Sequence, residues 1–153
     1  MAGLYYEDLH VGLVVEHSIR RTVTEMDNVL FSALTYNPAP LHIDAEYAKG
    51  TIYGKQLVNS CFLISLVVGI SVNDTTMGTT LGNLGYEEVR FPKPVFHGDT
   101  IRVTSEVIAA RLSKSRTDSG IVTFRHTATN QRREQVCIAI RNGLMLLRPT
   151  QEA

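Results

Sequence analysis

What this chain lacks narrows its reading first. Among its 153 residues, 15 lysines and arginines balance 15 aspartates and glutamates, so neither sign is in excess. A chain without net charge gives no electrostatic reason to expect DNA, RNA or an anionic membrane as its main partner. Cysteine is scarce: Cys61 and Cys137 stand far apart, without the paired spacing of a metal site. Both lie in apolar runs, where a reduced, buried thiol is expected. No spacing in the chain implies a metal or a redox cofactor. The opening residues, MAGLYYEDLHVG, hold no basic region followed by an apolar stretch, so no signal peptide is expected and a cytoplasmic protein fits best. Internal repeats, low-complexity tracts and linkers are missing too. The length suits one domain with a real core, spanning 1–153.

A membrane-length apolar run is also absent. The longest, Leu57–Val72 (LVNSCFLISLVVGISV), is interrupted by Asn59, Ser60 and then Asn73-Asp74, whereas crossing a bilayer takes roughly 18 or more apolar residues. As a helix, sixteen residues span roughly 24 Å, about the width of a small domain. It exceeds the usual strand length and is apolar all round, which predicts a central helix wrapped by the rest of its own domain.

Residues 11–23 read as a lead-in or edge strand. Thr24 and Asp27 form a capping-box-like pair, and Met26, Val29, Leu30, Ala33 and Leu34 recur at helical spacing, predicting a helix over 25–35 with that face packed inward. Pro38 prevents its continuation, and TYNPAPLHID follows as a stiff loop. Asp44 is placed to cap a short helix, AEYAK, ending at Gly50. After Asn73-Asp74, residues 80–91, 100–112, 119–130 and 134–147 read as strands separated by turn signals. The layout is α+β, with an antiparallel sheet covering helices on one face.

His42 is the strongest candidate for chemistry. Pro38 and Pro40 stiffen its loop, Leu41 and Ile43 are placed to anchor it, and imidazole titrates near neutrality. The bland alternative is a structural or solvated loop histidine. His97 and His126 read as structural, and His10 and His17 have no supporting context. Lys93, Arg111, Lys114 and Arg116 are possible partners for phosphates but equally suit solvated surface.

The segments FSALTYNPAPLHIDAEYAKGTIYGKQLVNS and VRFPKPVFHGDTIRV resemble the MaoC-like, (R)-specific enoyl-CoA hydratase (hydratase 2) family of hot-dog-fold proteins, over nearly the whole chain. GIVTFRHTATNQ and NGLMLLR look closest to its branch acting on mesaconyl- or itaconyl-CoA. The resemblance implies a single hot-dog domain, its antiparallel sheet wrapped around a long central helix. It also implies reversible hydration of a short enoyl-CoA, branched and dicarboxylic acyl groups included, with no cofactor beyond the substrate's coenzyme A. The expected assembly is a homodimer or higher homo-oligomer, with the acyl tunnel at the dimer interface.

By the same resemblance His42 is the catalytic acid and base. The family places an acid five residues before this histidine and an asparagine three before it; this chain has Asn37 and Ala39 there. An amide cannot take a proton as a carboxylate can, so the expected role of Asn37 is to orient water or the imidazole. The family holds the thioester oxygen with backbone N–H groups at the start of its central helix. The matching positions are Asn59 and Ser60, and serine keeps the N–H. The alternatives are a hot-dog thioesterase and a non-catalytic acyl-CoA-binding protein. The first is disfavoured because Leu57–Val72 carries no acid, and the second because His42 and its prolines are retained.

Overall fold

The structure is a computed structural model, and it describes residues 3–149. A single 3-10 turn at Tyr6–Asp8 precedes two short strands, β1 (Val14–Glu16) and β2 (Arg21–Thr22). Three helices follow: α1 (Glu25–Leu34), α2 (Pro40–Ile43) and α3 (Ala45–Lys49). The long α4 (Ser60–Thr75) leads into β3 (Thr80–Arg90), β4 (Thr100–Leu112), β5 (Ser119–Thr129) and β6 (Gln135–Leu146). The sheet is antiparallel in the order β1-β4-β5-β6-β3, with β2 also pairing β4.

Turn chemistry fixes several joints. The α1 box forms as expected: Asp27 N–H reaches Thr24 Oγ1 at 3.3 Å, and the Thr24 N–H reaches the Asp27 carboxylate at 2.8 Å. Asp44 accepts from Tyr47 N–H at 3.0 Å and caps α3. Gly98 turns the chain into β4 at φ +92°, a conformation that a side chain would strain. At Gly120 an added Cβ would lie 2.3 Å from the Tyr6 ring, so the ring can lie flat on β5 only over a glycine.

One core cluster gathers Leu63, Val67 and Ile70 of α4 against Ile101, Val103, Ala128 and Cys137 of the sheet. The other, around Leu9, Phe124 and Met145, sits beneath the N-terminal turn. Alternation puts Cys137, Ala139 and Arg141 on the same face of β6, the face that meets α4.

Four expectations need correction. The stiff loop at His42 contains a helical turn, Pro40–Ile43, with proline at its first position, where a missing N–H costs nothing. The α1 helix is turned the other way: Met26, Val29, Leu30, Ala33 and Leu34 are all exposed, while Asn28 and Ser32 are fully buried. Hydrogen-bond partners make the polar side the inner one. The α4 helix is not enclosed by its own chain, since Cys61, Ser65 and Gly69 are exposed at four-residue spacing along one side. Cys61 is therefore an exposed thiol; Cys137 is the buried one, its pKa pushed up to about 11 by burial.

Candidate active site

His42 sits in α2, half-buried, held from both sides of its ring and backbone. Its Nδ1 lies 2.8 Å from the Leu57 carbonyl. A carbonyl only accepts, so Nδ1 carries the proton and Nε2 of the neutral ring keeps a free lone pair. Leu57 N–H in turn donates to the Leu41 carbonyl at 3.1 Å, stitching the approach to α4 onto α2.

The organising residue is Asn28, which in the sequence is one position of the 25–35 helix with nothing of its own to mark it as part of a site. Its side-chain amide donates to the His42 and Leu57 carbonyls, both at 3.0 Å, and lies 3.1 Å from His97 Nε2. Its carbonyl oxygen accepts the Asn59 N–H at 2.8 Å. One buried amide thus ties α1 to the His42 turn, to the carbonyl that orients its ring, and to the start of α4. A polar pair four residues apart, Asn28 and Ser32, was the available signal. His97, read as structural, belongs to this cluster.

Asn59 is the N-cap of α4. Its Oδ1 accepts from Cys61 N–H at 2.9 Å and its Nδ2 donates to Ser32 Oγ at 3.3 Å, so its side chain is fully engaged. Ser60 opens the helix, and its N–H makes no hydrogen bond among the described residues. An unpartnered N–H at the positive end of a sixteen-residue helix is suited to a developing negative charge. It borders a hollow of about 240 Å³ lined by Tyr53, Leu57, Ser60, Phe91 and Lys93. Of the basic candidates, Lys93 shares this hollow. Arg111 lines a different one, and Arg116 is paired with Asp118 at 2.6 Å.

Asn37 follows Tyr36, whose φ of +54° turns the chain out of α1. Asn37 Oδ1 accepts from Ala39 N–H at 3.1 Å, shaping the lead-in to α2. It borders a second, apolar hollow of about 350 Å³ with Val29, Ser32, Tyr36, Pro38 and Ile43. Asn37 and Ser60 therefore line separate hollows of one chain, joined through the His42–Leu57 link. No group of three or more His, Cys, Asp or Glu side chains suited to a metal occurs among the described residues. No helix there is long and apolar enough to cross a membrane.

Residues 9–130 match the MaoC like domain model, covering most of the chain. The chain belongs to the MaoC-like domain family. It is 34% identical over 149 residues to a mesaconyl-CoA hydratase of Cereibacter sphaeroides, aligning 97% of this chain with 43% of that protein. Among solved structures it matches a MaoC-like dehydratase from Rhodospirillum rubrum at 29% identity and TM-score 0.84, over 97% of this chain and 100% of the other. It also superimposes on a Mycobacterium tuberculosis protein described as a double hotdog fold, with TM-score 0.84 at 20% identity, over 99% of this chain and 46% of the other. The MaoC-like chain is accordingly an α+β hot-dog fold, with its antiparallel sheet around α4. It spans less than half the length of the curated relatives it first matches.

Proposed function

We propose that this MaoC-like chain is a hydro-lyase that reversibly hydrates a short enoyl-CoA, with His42 moving the proton. The carrying observation is the Nδ1–H bond from His42 to the carbonyl of Leu57, a residue that lines the Ser60 hollow, which leaves Nε2 of His42 free. In the hydration direction, His42 Nε2 takes a proton from water as the hydroxyl adds to the β-carbon. Charge moves onto the thioester oxygen, where the Ser60 N–H receives it; the imidazolium then returns a proton to the α-carbon. Asn37 orients the water and Asn59 fixes the helix start. Lys93 stands at the same hollow for the coenzyme's phosphates. The substrate supplies its own coenzyme A, and no further cofactor takes part.

The same reading makes the working unit a homodimer. The α4 helix has an open side, and β3 is an edge strand of eleven residues carrying exposed Leu81, Leu84, Tyr86 and Val89. A second copy roofing that strip would bring the two hollows of different copies into one tunnel and remove an aggregation-prone edge. Exposed, unpaired Cys61 suits the reducing cytoplasm.

The test follows loss of enoyl absorbance with crotonyl-, mesaconyl- and itaconyl-CoA. His42→Ala is expected to lower kcat by about 10²- to 10⁴-fold, and undiminished turnover would overturn the role of His42. Asn37→Asp is expected to raise the rate by supplying a carboxylate. Free thiol appearing instead of hydration would identify a thioesterase, and binding without turnover a carrier. Sedimentation of the purified chain checks the dimer.

A further inference from the structure

Arg141 is a buried cation for which the reaction above has no use. It is 4% exposed, in the middle of β6, on the face shared with Cys137 and Ala139 that meets α4. Its Nε donates to His126 Nε2 at 3.2 Å, and its Nη2 is buried with no acceptor among the described residues. The guanidinium lies over the Phe124 ring, 5.3 Å from its centroid, and that ring is stacked on His126. None of these neighbours is an anion. His126 leads to Ser105, Ser105 to His17, and only then does a carboxylate, Asp74, appear. A guanidinium so thoroughly withdrawn from water, with a donor left over, is an incomplete ion pair.

Tyr86 is directly opposite Arg141 across the β3–β6 pair and so points to the same face, yet it is 43% exposed. At β3 the strip beside the covered guanidinium is therefore half-open, at Tyr86. It is the same strip that a second copy would roof.

We propose that Arg141 receives the carboxylate of an acyl group that carries one at the end away from the thioester, making the enzyme selective for enedioyl-CoA substrates over uncharged enoyl-CoAs. The assignment rests on the enoyl-CoA reading above and adds the chemistry of the far end of the substrate. A planar guanidinium with a spare N–H matches a carboxylate, whereas a methyl group in its place leaves the buried donor unpaired. Phe124 and the neutral His126 hold the fork from behind, so little ordering remains to be done on binding.

Two substrate pairs that differ only in that carboxylate test this with the purified full chain. Mesaconyl-CoA, with its thioester on the methyl-bearing end, is set against tiglyl-CoA, and 2,3-dehydroadipyl-CoA against 2-hexenoyl-CoA. The wild type is expected to prefer the carboxylate member of at least one pair. Arg141→Met is expected to lower that kcat/KM ratio by roughly 100-fold or more, and Arg141→Lys by less, since a point charge survives but the fork does not. Thermal melts identify a variant that fails to fold, in which case the lysine variant alone is scored. A wild type preferring the uncharged member of both pairs, a ratio unmoved by substitution, or equal loss on both members of a pair overturns the assignment. If the wild type turns over none of the four, the hydratase reading fails on its own. Calorimetric affinities for the same thioesters then decide: tighter binding of a carboxylate member, lost in the variants, supports Arg141 as its holder, and equal binding overturns it.

Discussion

At the scale of single residues, Asn28 separates structural from chemical importance less cleanly than a histidine does. It touches no reacting atom on the proposed pathway. Its four contacts nevertheless decide where the His42 turn, the Leu57 carbonyl and the Asn59 N–H stand relative to one another. Replacing it with leucine takes one of the partners from each of the His42 and Leu57 carbonyls and leaves the buried Asn59 N–H without its acceptor, a loss worth about 1–3 kcal/mol. Asn28→Leu should therefore lower stability in urea titrations. It should also reduce kcat by about 10- to 100-fold through misplacement of the His42 ring, with a smaller change in KM. Asn28→Asp keeps the acceptor for Asn59 but loses the donors to both carbonyls; steady-state kinetics should show it retaining more activity than the leucine variant. A fall in stability with unchanged kcat would reduce Asn28 to a purely structural part.

At the scale of elements, α1 is the instructive case. Its periodic apolar residues, Met26, Val29, Leu30 and Leu34, predict an inward face, yet they point outward and Asn28 and Ser32 go in. Periodicity finds a helix because backbone geometry alone sets the repeat. Which side is buried depends on partners supplied by distant segments, here the carbonyls of residues 42 and 57 and the Asn59 amide, and no local pattern contains them. The four long strands, the Asp44 cap and the α4 run were legible for the opposite reason: their signals are local and mutually consistent. Of the candidate site, His42 could be picked out from its neighbours in sequence and Ser60 through the family resemblance, whereas Asn28, His97 and Arg141 matter through contacts made only after folding. The inverted face has a measurable consequence. Leu34→Lys, at a position 72% exposed, should change stability by less than about 0.5 kcal/mol. Ser32→Leu, at a fully buried position bonded to Asn59, should cost about 1–3 kcal/mol by overpacking and by stripping the Asn59 amide. Denaturant midpoints of the two variants check the order.

At the scale of the whole molecule, the polar chain from Arg141 to Asp74 ties β6, β5 and β4 to the strand-leading segment at His17 and to the far end of α4. Burial, with the charge of Arg141 nearby, lowers the pKa of His126 from 6.5 to about 3. Below pH 6.5 the unfolded chain binds a proton that the folded chain refuses until about pH 3. The stabilisation is thus complete above the unfolded value and declines through that window by about 1.4 kcal/mol per pH unit. Asp74, held below its usual range by its bond to His17, adds a further loss only at lower pH, where that carboxylate protonates. Urea midpoints should fall between pH 6.5 and 4.5 by an amount equivalent to about 2.5 kcal/mol from His126, and a His126→Asn variant should show a shallower slope. The chain also has a sense of direction. Arg141 can only donate and Asp74 when ionised can only accept, so with His17 neutral every hydrogen between them is assigned: His126 gives its Nδ1 proton to Ser105, Ser105 gives its hydroxyl proton to His17, and His17 gives its Nδ1 proton to Asp74. Both imidazoles are thereby held in the tautomer that free histidine disfavours. With its two ends chemically unlike, the row works as a one-way latch across three strands, and no link in it can be reversed without reversing the others.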